Sequence, residues 1–185
     1  MHPPATILIV GKRATGKSTH ARKLIQELCL DVKDGVIVDP CGGYMTRDAE
    51  FFPSPNADLV TQENMHYEYN PNIIKNLIER QEQTQRKSFV LLDNCFYTND
   101  WYKNQYIEDL FTRAAKLHLV LICTLSFPMY VPFVLDKIIL LPDNYSPSVR
   151  RLYDRFGSAT FSSFEQFKET FERNTSSNKC FVIDT

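Results

Sequence analysis

The 185-residue sequence lacks the features that mark several broad classes of protein. Its 21 basic and 22 acidic residues nearly cancel, so no global positive field attracts nucleic acid. No hydrophobic run is long enough to cross a bilayer, and Met1-His2-Pro3-Pro4 does not resemble the start of a secretion signal. The five cysteines form no C-x-x-C pair, which argues against a disulfide framework. We therefore expect one cytoplasmic domain over residues 1–185, not secreted and without a membrane segment.

Glycine is scarce, with six residues, yet two glycines bracket the most informative segment. The stretch GKRATGKS, residues 11–18, matches the phosphate-loop pattern G-x-x-x-x-G-K-[ST]. In this pattern the glycines let backbone N–H groups turn toward an anion, the lysine reaches the β- and γ-phosphates, and the hydroxyl binds Mg²⁺. An apolar run precedes the loop and a helical pattern follows it, as the motif requires. The sequence thus predicts binding of ATP and Mg²⁺ by Gly11, Lys12, Arg13, Ala14, Thr15, Gly16, Lys17, Ser18 and Thr19.

Apolar runs and helical patterns alternate along the rest of the chain. Unbroken apolar runs of this kind are typical of parallel strands that are covered on both faces. The sequence therefore predicts an α/β fold of the P-loop NTPase type (RecA/ASCE-like), with a mostly parallel sheet and helices on both faces. The predicted strands cover residues 7–10, 35–39, 89–93, 118–125, 138–141 and 181–183. The predicted helices begin near residue 18 and cover 71–80, 103–117, 149–156 and 164–173, and residues 40–70 are predicted to be irregular.

Two strand ends carry the remaining candidate catalytic residues. Asp93 ends an apolar strand, where the second acid of P-loop NTPases holds Mg²⁺ through water. The next residue is Asn94, whose amide can orient a water molecule but cannot accept its proton. Thr124 and Ser126 end the following strand, and either hydroxyl is a candidate sensor of the γ-phosphate. The predicted catalytic set is Lys17, Asp93, Asn94 and Ser126, with Ser18 and Asp93 as the Mg²⁺ ligands.

Four segments resemble the genome-packaging ATPases of nucleocytoplasmic large DNA viruses, the poxvirus-type members of the FtsK–HerA superfamily. In addition to the phosphate loop, which also resembles theirs, the four segments are HYEYNPNIIKNLIERQ, VLLDNCFYTNDWYKN, ICTLSFPMYVP and the C-terminal part from RRLYDRFG onward. The resemblance implies a homo-oligomeric ring that hydrolyses ATP with Mg²⁺ and drives double-stranded DNA into a capsid, in contact with capsid or portal components. It also implies a location in the infected cell's cytoplasm, the virus factory or the virion. In this family Lys17 and Ser18 would bind phosphate and metal, and Asp93 would hold the Mg²⁺ water shell.

The sequence departs from that family at three positions. The family has an acid where Asn94 stands and a glutamine where Ser126 stands. It also has an arginine that acts across a subunit boundary, whereas the stretch 131–137 contains none. Since loss of a general base costs about 10²–10⁴ in rate, the departures predict weakened hydrolysis.

Two other functions remain open at this point. A small-molecule P-loop kinase would use a lid with arginines, for which Arg150, Arg151 and Arg155 are candidates. A nucleotide-binding structural paralogue would bind ATP without turnover, as Asn94 and Ser126 favour. The order of the strands in the sheet distinguishes a motor from a kinase. A sensor strand between the strand that leads to Lys17 and the strand that ends in Asp93 favours the motor. Direct pairing of those two strands favours the kinase.

Overall fold

The computed structural model describes residues 5–28, 35–40, 65–66, 68–96 and 101–185. These ranges contain one seven-stranded sheet in the order β3-β2-β4-β5-β1-β6-β7. All neighbouring strands are parallel except β6 and β7, which are antiparallel. The strands are Thr6–Val10 (β1), Gly35–Val38 (β2), Met65–His66 (β3), Ser88–Asp93 (β4), Leu119–Leu125 (β5), Lys137–Leu140 (β6) and Phe181–Asp184 (β7).

Five α-helices within the described ranges cover the two faces of the sheet. One sheet face, with Ile7 and Ile9 of β1, packs against Ala21 and Ile25 of α1. The other four helices contribute apolar side chains to the core on the opposite face, which contains Leu8. The helices are Lys17–Leu28 (α1), Pro71–Thr84 (α2), Gln105–Arg113 (α3), Ser146–Leu152 (α4) and Phe164–Thr175 (α5). The predicted α/β fold with a mostly parallel sheet and helices on both faces is therefore confirmed.

The alternation of β1 explains how one short strand serves both cores. Successive side chains of a strand point to opposite faces, so Leu8 and Val10 face one core while Ile7 and Ile9 face the other. All five residues of β1 are buried, since parallel neighbours flank the strand on both sides. The loop that follows β1 is thereby attached to the centre of the sheet.

Several predicted boundaries are wrong. The helix predicted over 103–117 is shorter and begins at Gln105. Its N-cap is Asn104, whose side-chain oxygen accepts hydrogen bonds from the N–H groups of Tyr106 and Ile107. It ends at Arg113, and His118 has a left-handed φ of 55°, so β5 begins one residue later than predicted.

The helix predicted over 149–156 begins earlier, at Ser146. A proline occupies its first turn, and a π-helical turn, Tyr153–Gly157, follows its end at Leu152. The short strand β3 lies within the stretch 40–70 that was predicted to be irregular, and residues 41–64 and 67 of that stretch lie outside the described residues. Among the described helices, none combines the length and hydrophobicity that a membrane span requires.

Candidate functional site

The phosphate-loop sequence connects the end of β1 to the start of α1. The backbone N–H of Gly11 donates a hydrogen bond to the carbonyl of Leu125 at 3.0 Å, which joins the loop to the end of β5. A Cβ atom at Gly11 would lie 2.6 Å from Thr15 Oγ1 and 2.7 Å from Leu141 Cβ. Any larger residue would displace these neighbours, so glycine is required here for a close approach.

The loop curls around the ammonium group of Lys17. Two residues with positive φ, Ala14 at 64° and Gly16 at 92°, bend the backbone of the loop. Lys17 is buried, and its Nζ donates hydrogen bonds to the carbonyls of Gly11 at 2.8 Å and Lys12 at 2.9 Å. The ammonium is thus held beneath the loop, where the lysine of the phosphate-loop pattern meets the β- and γ-phosphates of a nucleotide.

The second candidate metal ligand, Asp93, lies beside the first one, Ser18, which directly follows Lys17 in the sequence. Ser18 Oγ donates a hydrogen bond to Asp93 Oδ2 at 3.2 Å, and Thr124 Oγ1 donates to Asp93 Oδ1. The register of β4 against β5 pairs Asp93 directly with Thr124, which explains the second contact. A hydroxyl and a carboxylate at this separation are oxygen donors of the kind that Mg²⁺ prefers.

The environment of the Asp93 carboxyl group disfavours its charged form relative to water. Burial raises its pKa, and the charge of Asp39 on the neighbouring strand raises it as well. Hydrogen bonds from Thr124 and Ser18 and the charge of Lys17 act in the opposite direction without cancelling the rise. A bound divalent cation would remove this disadvantage, because a positive charge stabilises the carboxylate.

Asn94 and Ser126 border the same region from two neighbouring strand ends. Asn94 has a φ of 53°, a conformation that asparagine and aspartate tolerate better than most residues. Its backbone N–H donates to the carbonyl oxygen of Thr124 at 3.1 Å and to Thr124 Oγ1 at 3.0 Å. Of the two hydroxyls considered as sensors, that of Thr124 contacts Asp93, whereas Ser126 lines the cleft described next.

A single cleft of about 590 Å³ brings the candidate residues together. All four predicted catalytic residues border it, and so do six of the nine residues predicted to bind the nucleotide. Gly11, Lys12 and Thr15 do not line this cleft; Lys12 and Thr15 line an adjacent cavity toward β6. The cleft is lined by Arg13, Ala14, Gly16, Lys17, Ser18, Thr19, Asp93, Asn94 and Ser126.

Two acidic residues near the site were not predicted. Asp39 is completely buried at the end of β2 and acts on the charge of Asp93. Asp143, which follows β6, forms an ion pair with Lys12 at 2.5 Å. Asp39 was detectable in principle, because it ends an apolar strand as Asp93 does. No signal within the sequence links Asp143 to Lys12, since only the β1–β6 pairing brings them together.

Two of the three arginines considered as a kinase lid contact aromatic rings of the chain itself. Arg150 stacks on Phe164, with its guanidinium carbon 4.8 Å from the ring centroid, and pairs with Asp154 at 3.3 Å. The guanidinium carbon of Arg155 lies 5.5 Å from the centroid of the Tyr130 ring. Arg151 is exposed, and none of the three arginines lines the cleft.

The order of the strands and the phosphate-loop sequence together define a class of fold. β5 lies between β1, which leads into the loop, and β4, which ends in Asp93. This order is the one that favours a motor over a kinase. The chain has the fold of P-loop NTPases.

Solved structures with the same fold include viral and bacterial ATPases. The genome packaging NTPase B204 from Sulfolobus turreted icosahedral virus 2, in complex with AMP, is 13% identical, with a TM-score of 0.62 over 100% of this chain and 94% of that chain. B204, the DNA-packaging ATPase from Sulfolobus turreted icosahedral virus, is 14% identical, with a TM-score of 0.61 over 98% of each chain. The cytoplasmic domain of the type VII secretion ATPase EccC from Thermomonospora curvata is 14% identical, with a TM-score of 0.52 over 96% of this chain and 24% of that chain.

At these identities the likeness establishes the fold alone. It includes viral packaging ATPases without singling out the poxvirus-type family. Neither models of known protein families nor curated proteins match the sequence.

Proposed function

We propose that the chain, as a single P-loop ATPase domain over residues 1–185, binds ATP with Mg²⁺ and works as a DNA-packaging motor. The observation that carries this proposal is the cleft in which the loop around Lys17 meets Asp93, with β5 between the two strands that supply them. Structures of B204 in complex with AMP, AMPPCP and ATP-gammaS support an adenine nucleotide as the ligand.

Each residue of the cleft has a role that follows from its chemistry. Lys17 Nζ would exchange its two loop carbonyls for phosphate oxygens when a nucleotide enters. Ser18 Oγ and the Asp93 carboxylate would hold Mg²⁺, directly and through water. When bound, Mg²⁺ neutralises charge on the β- and γ-phosphates. No three His, Cys, Asp or Glu side chains of the described residues form a metal-binding group, so a cation here would depend on these two ligands and on the nucleotide itself.

Hydrolysis at this site is proposed to be slow. Asn94 lines the cleft where a general base would act, and its amide cannot take a proton from water. Ser126 is shorter than the glutamine expected there, and the stretch 131–137 supplies no arginine. The buried Asp93 is unsuited to replace the base, because its carboxylate is the group that would hold Mg²⁺ beside Ser18.

The proposed partners and location follow from the resemblance to the poxvirus-type members of the FtsK–HerA superfamily. They are double-stranded DNA, further copies of this chain in a ring, and capsid or portal components. The proposed location is the cytoplasm or virus factory of an infected cell, or the virion. The fold shared with B204, a DNA-packaging ATPase, supports this reading.

A second candidate is a structural paralogue that binds ATP without turnover. Asn94 and Ser126 favour it, since both are neutral and neither adds an acid or a cation to the cleft. The kinase alternative loses its support, because β5 separates β1 from β4 and none of the three candidate lid arginines lines the cleft.

Two measurements on the purified protein distinguish these functions. They are the rate of ATP turnover with and without double-stranded DNA, and the oligomeric state under the same conditions. A motor gives turnover by an oligomer that DNA stimulates and that Lys17→Ala abolishes. Tight ATP binding without turnover in either condition identifies the structural paralogue. Turnover that requires a small phosphate acceptor, or absence of ATP binding, contradicts the proposal.

A further inference from the structure

Two adjacent cations of the phosphate loop, Lys12 and Arg13, differ in their contacts. Lys12 is held toward β6, because its Nζ pairs with Asp143 at 2.5 Å and lies 5.3 Å from the centroid of the Tyr145 ring. Arg13 is exposed, and no ion pair or hydrogen bond involves its guanidinium among the described residues. The first cation is therefore committed to the fold, and the second is available to a ligand.

Arg13 belongs to the phosphate loop and lines several neighbouring cavities. It lines the cleft together with Asp93, Asn94 and Ser126. It also borders an adjoining cavity of about 420 Å³ that shares Asn94 and Ser126 with the cleft. Its neighbour Ala14 has a φ of 64°, a conformation that costs a non-glycine residue energy and turns the backbone immediately after Arg13.

The distribution of charge in the cleft makes this position important. Lys17 and Arg13 are the only cations among the described residues that line it. A triphosphate held by Lys17, Ser18 and Asp93 would have its terminal phosphate in this cleft, where the lining side chains of Asn94 and Ser126 are neutral. Of the cleft's cations in the described part of the chain, Arg13 is then the one besides Lys17 that can bind the oxygens of that phosphate.

We propose that Arg13 binds the terminal phosphate of the nucleotide held by its own chain and so distinguishes a nucleoside triphosphate from a diphosphate. The inference rests on the proposed nucleotide binding and adds a specificity-determining residue to it. The planar guanidinium presents paired N–H donors that match two phosphate oxygens, which the lysine ammonium cannot do in the same geometry. Arg13 thus supplies, from within the subunit, a cation that the arginine-free stretch 131–137 does not provide.

The test compares affinities for a non-hydrolysable ATP analogue and for ADP, both with Mg²⁺, in the wild type, Arg13→Ala and Arg13→Lys. We expect Arg13→Ala to weaken binding of the ATP analogue by about 10- to 100-fold, the value of a charge-assisted hydrogen bond or two, while the ADP affinity stays within about twofold. Arg13→Lys should fall between the wild type and Arg13→Ala. The matched control is Arg151→Ala, which removes an exposed arginine that does not line the cleft and should bind both nucleotides as the wild type does.

The retained ADP affinity also reports that the loop is still folded in each variant. Equal losses for both nucleotides would assign Arg13 a merely structural role and overturn the inference, as would unchanged affinity for the ATP analogue. If the wild type binds neither nucleotide, the proposed function fails together with the inference. The measurement is repeated at a dilution where the chain is monomeric, because an effect that appears only in the oligomer would place the contacted phosphate in a neighbouring subunit and contradict binding within one chain.

Discussion

Replacing Asn94 with aspartate is expected to add a general base to the cleft with little change in the fold. Aspartate is isosteric with asparagine and tolerates the left-handed φ of 53° at this position. The hydrogen bonds that the backbone N–H makes to Thr124, at 3.0 and 3.1 Å, do not involve the side chain and remain. Asn94→Glu places a longer residue in the same conformation, which costs about 1–2 kcal/mol. Aspartate is therefore the substitution to test.

The expected gain follows from the value of a positioned base. Such a group contributes about 10²–10⁴ in rate, which corresponds to about 2.7–5.4 kcal/mol of the barrier at 1.36 kcal/mol per tenfold. We expect kcat for ATP to rise by about 100-fold or more in Asn94→Asp.

The assay is phosphate release at saturating ATP, so that weaker binding caused by the added negative charge does not affect kcat. Asn72→Asp is the charge-matched control, since Asn72 is exposed in the first turn of α2 and does not line the cleft. A kcat for Asn94→Asp equal to that of the wild type, with ATP binding intact, would show that the missing acid does not limit hydrolysis.

Two further predictions concern stability and the loop. Because burial is the main cause of the raised pKa of Asp93, Asp93→Asn should raise Tm at pH 8, where the wild type carries the buried charge. The difference should shrink as the pH falls through the raised pKa, since the wild type then takes up a proton and loses the buried charge; a lower Tm for the variant at pH 8 would contradict this. Gly11→Ala should lower the free energy of unfolding by about 1–3 kcal/mol and weaken ATP binding, because its Cβ would meet Thr15 Oγ1 at 2.6 Å and Leu141 Cβ at 2.7 Å. Urea denaturation checks it, and unchanged stability would refute the crowding argument.

Local patterns in the sequence were sufficient for the centre of the fold. The phosphate loop is a contiguous segment whose neighbours must be a strand and a helix, so its position follows from the pattern alone. Asp93 was predicted as a site residue because it ends an apolar run that is typical of a buried strand, and it does end β4. The Asn70–Pro71 start of α2 was also correct, since the Asn70 side chain accepts a hydrogen bond from the N–H of Asn72 at 2.9 Å.

Features that depend on tertiary contacts were not predictable in the same way. Which of the two hydroxyls, that of Thr124 or that of Ser126, contacts Asp93 depends on the register of β4 against β5, which a sequence does not reveal. The end of α3 at Arg113 depends on a turn that leads to the left-handed His118, and histidine carries no strong signal for that conformation. The ion pair of Lys12 with Asp143 joins residues 131 positions apart, through strands that are adjacent only in the folded sheet.

The central claim is that the loop around Lys17 and the carboxylate of Asp93 form one site for Mg²⁺ and a triphosphate. Equilibrium binding of a non-hydrolysable ATP analogue, measured by calorimetry with Mg²⁺ and with EDTA, tests it most directly. We predict that Mg²⁺ increases the affinity of the wild type, that Asp93→Asn loses this increase but still binds the metal-free analogue, and that Lys17→Ala binds neither form. An increase with Mg²⁺ that is as large in Asp93→Asn as in the wild type would contradict the claim.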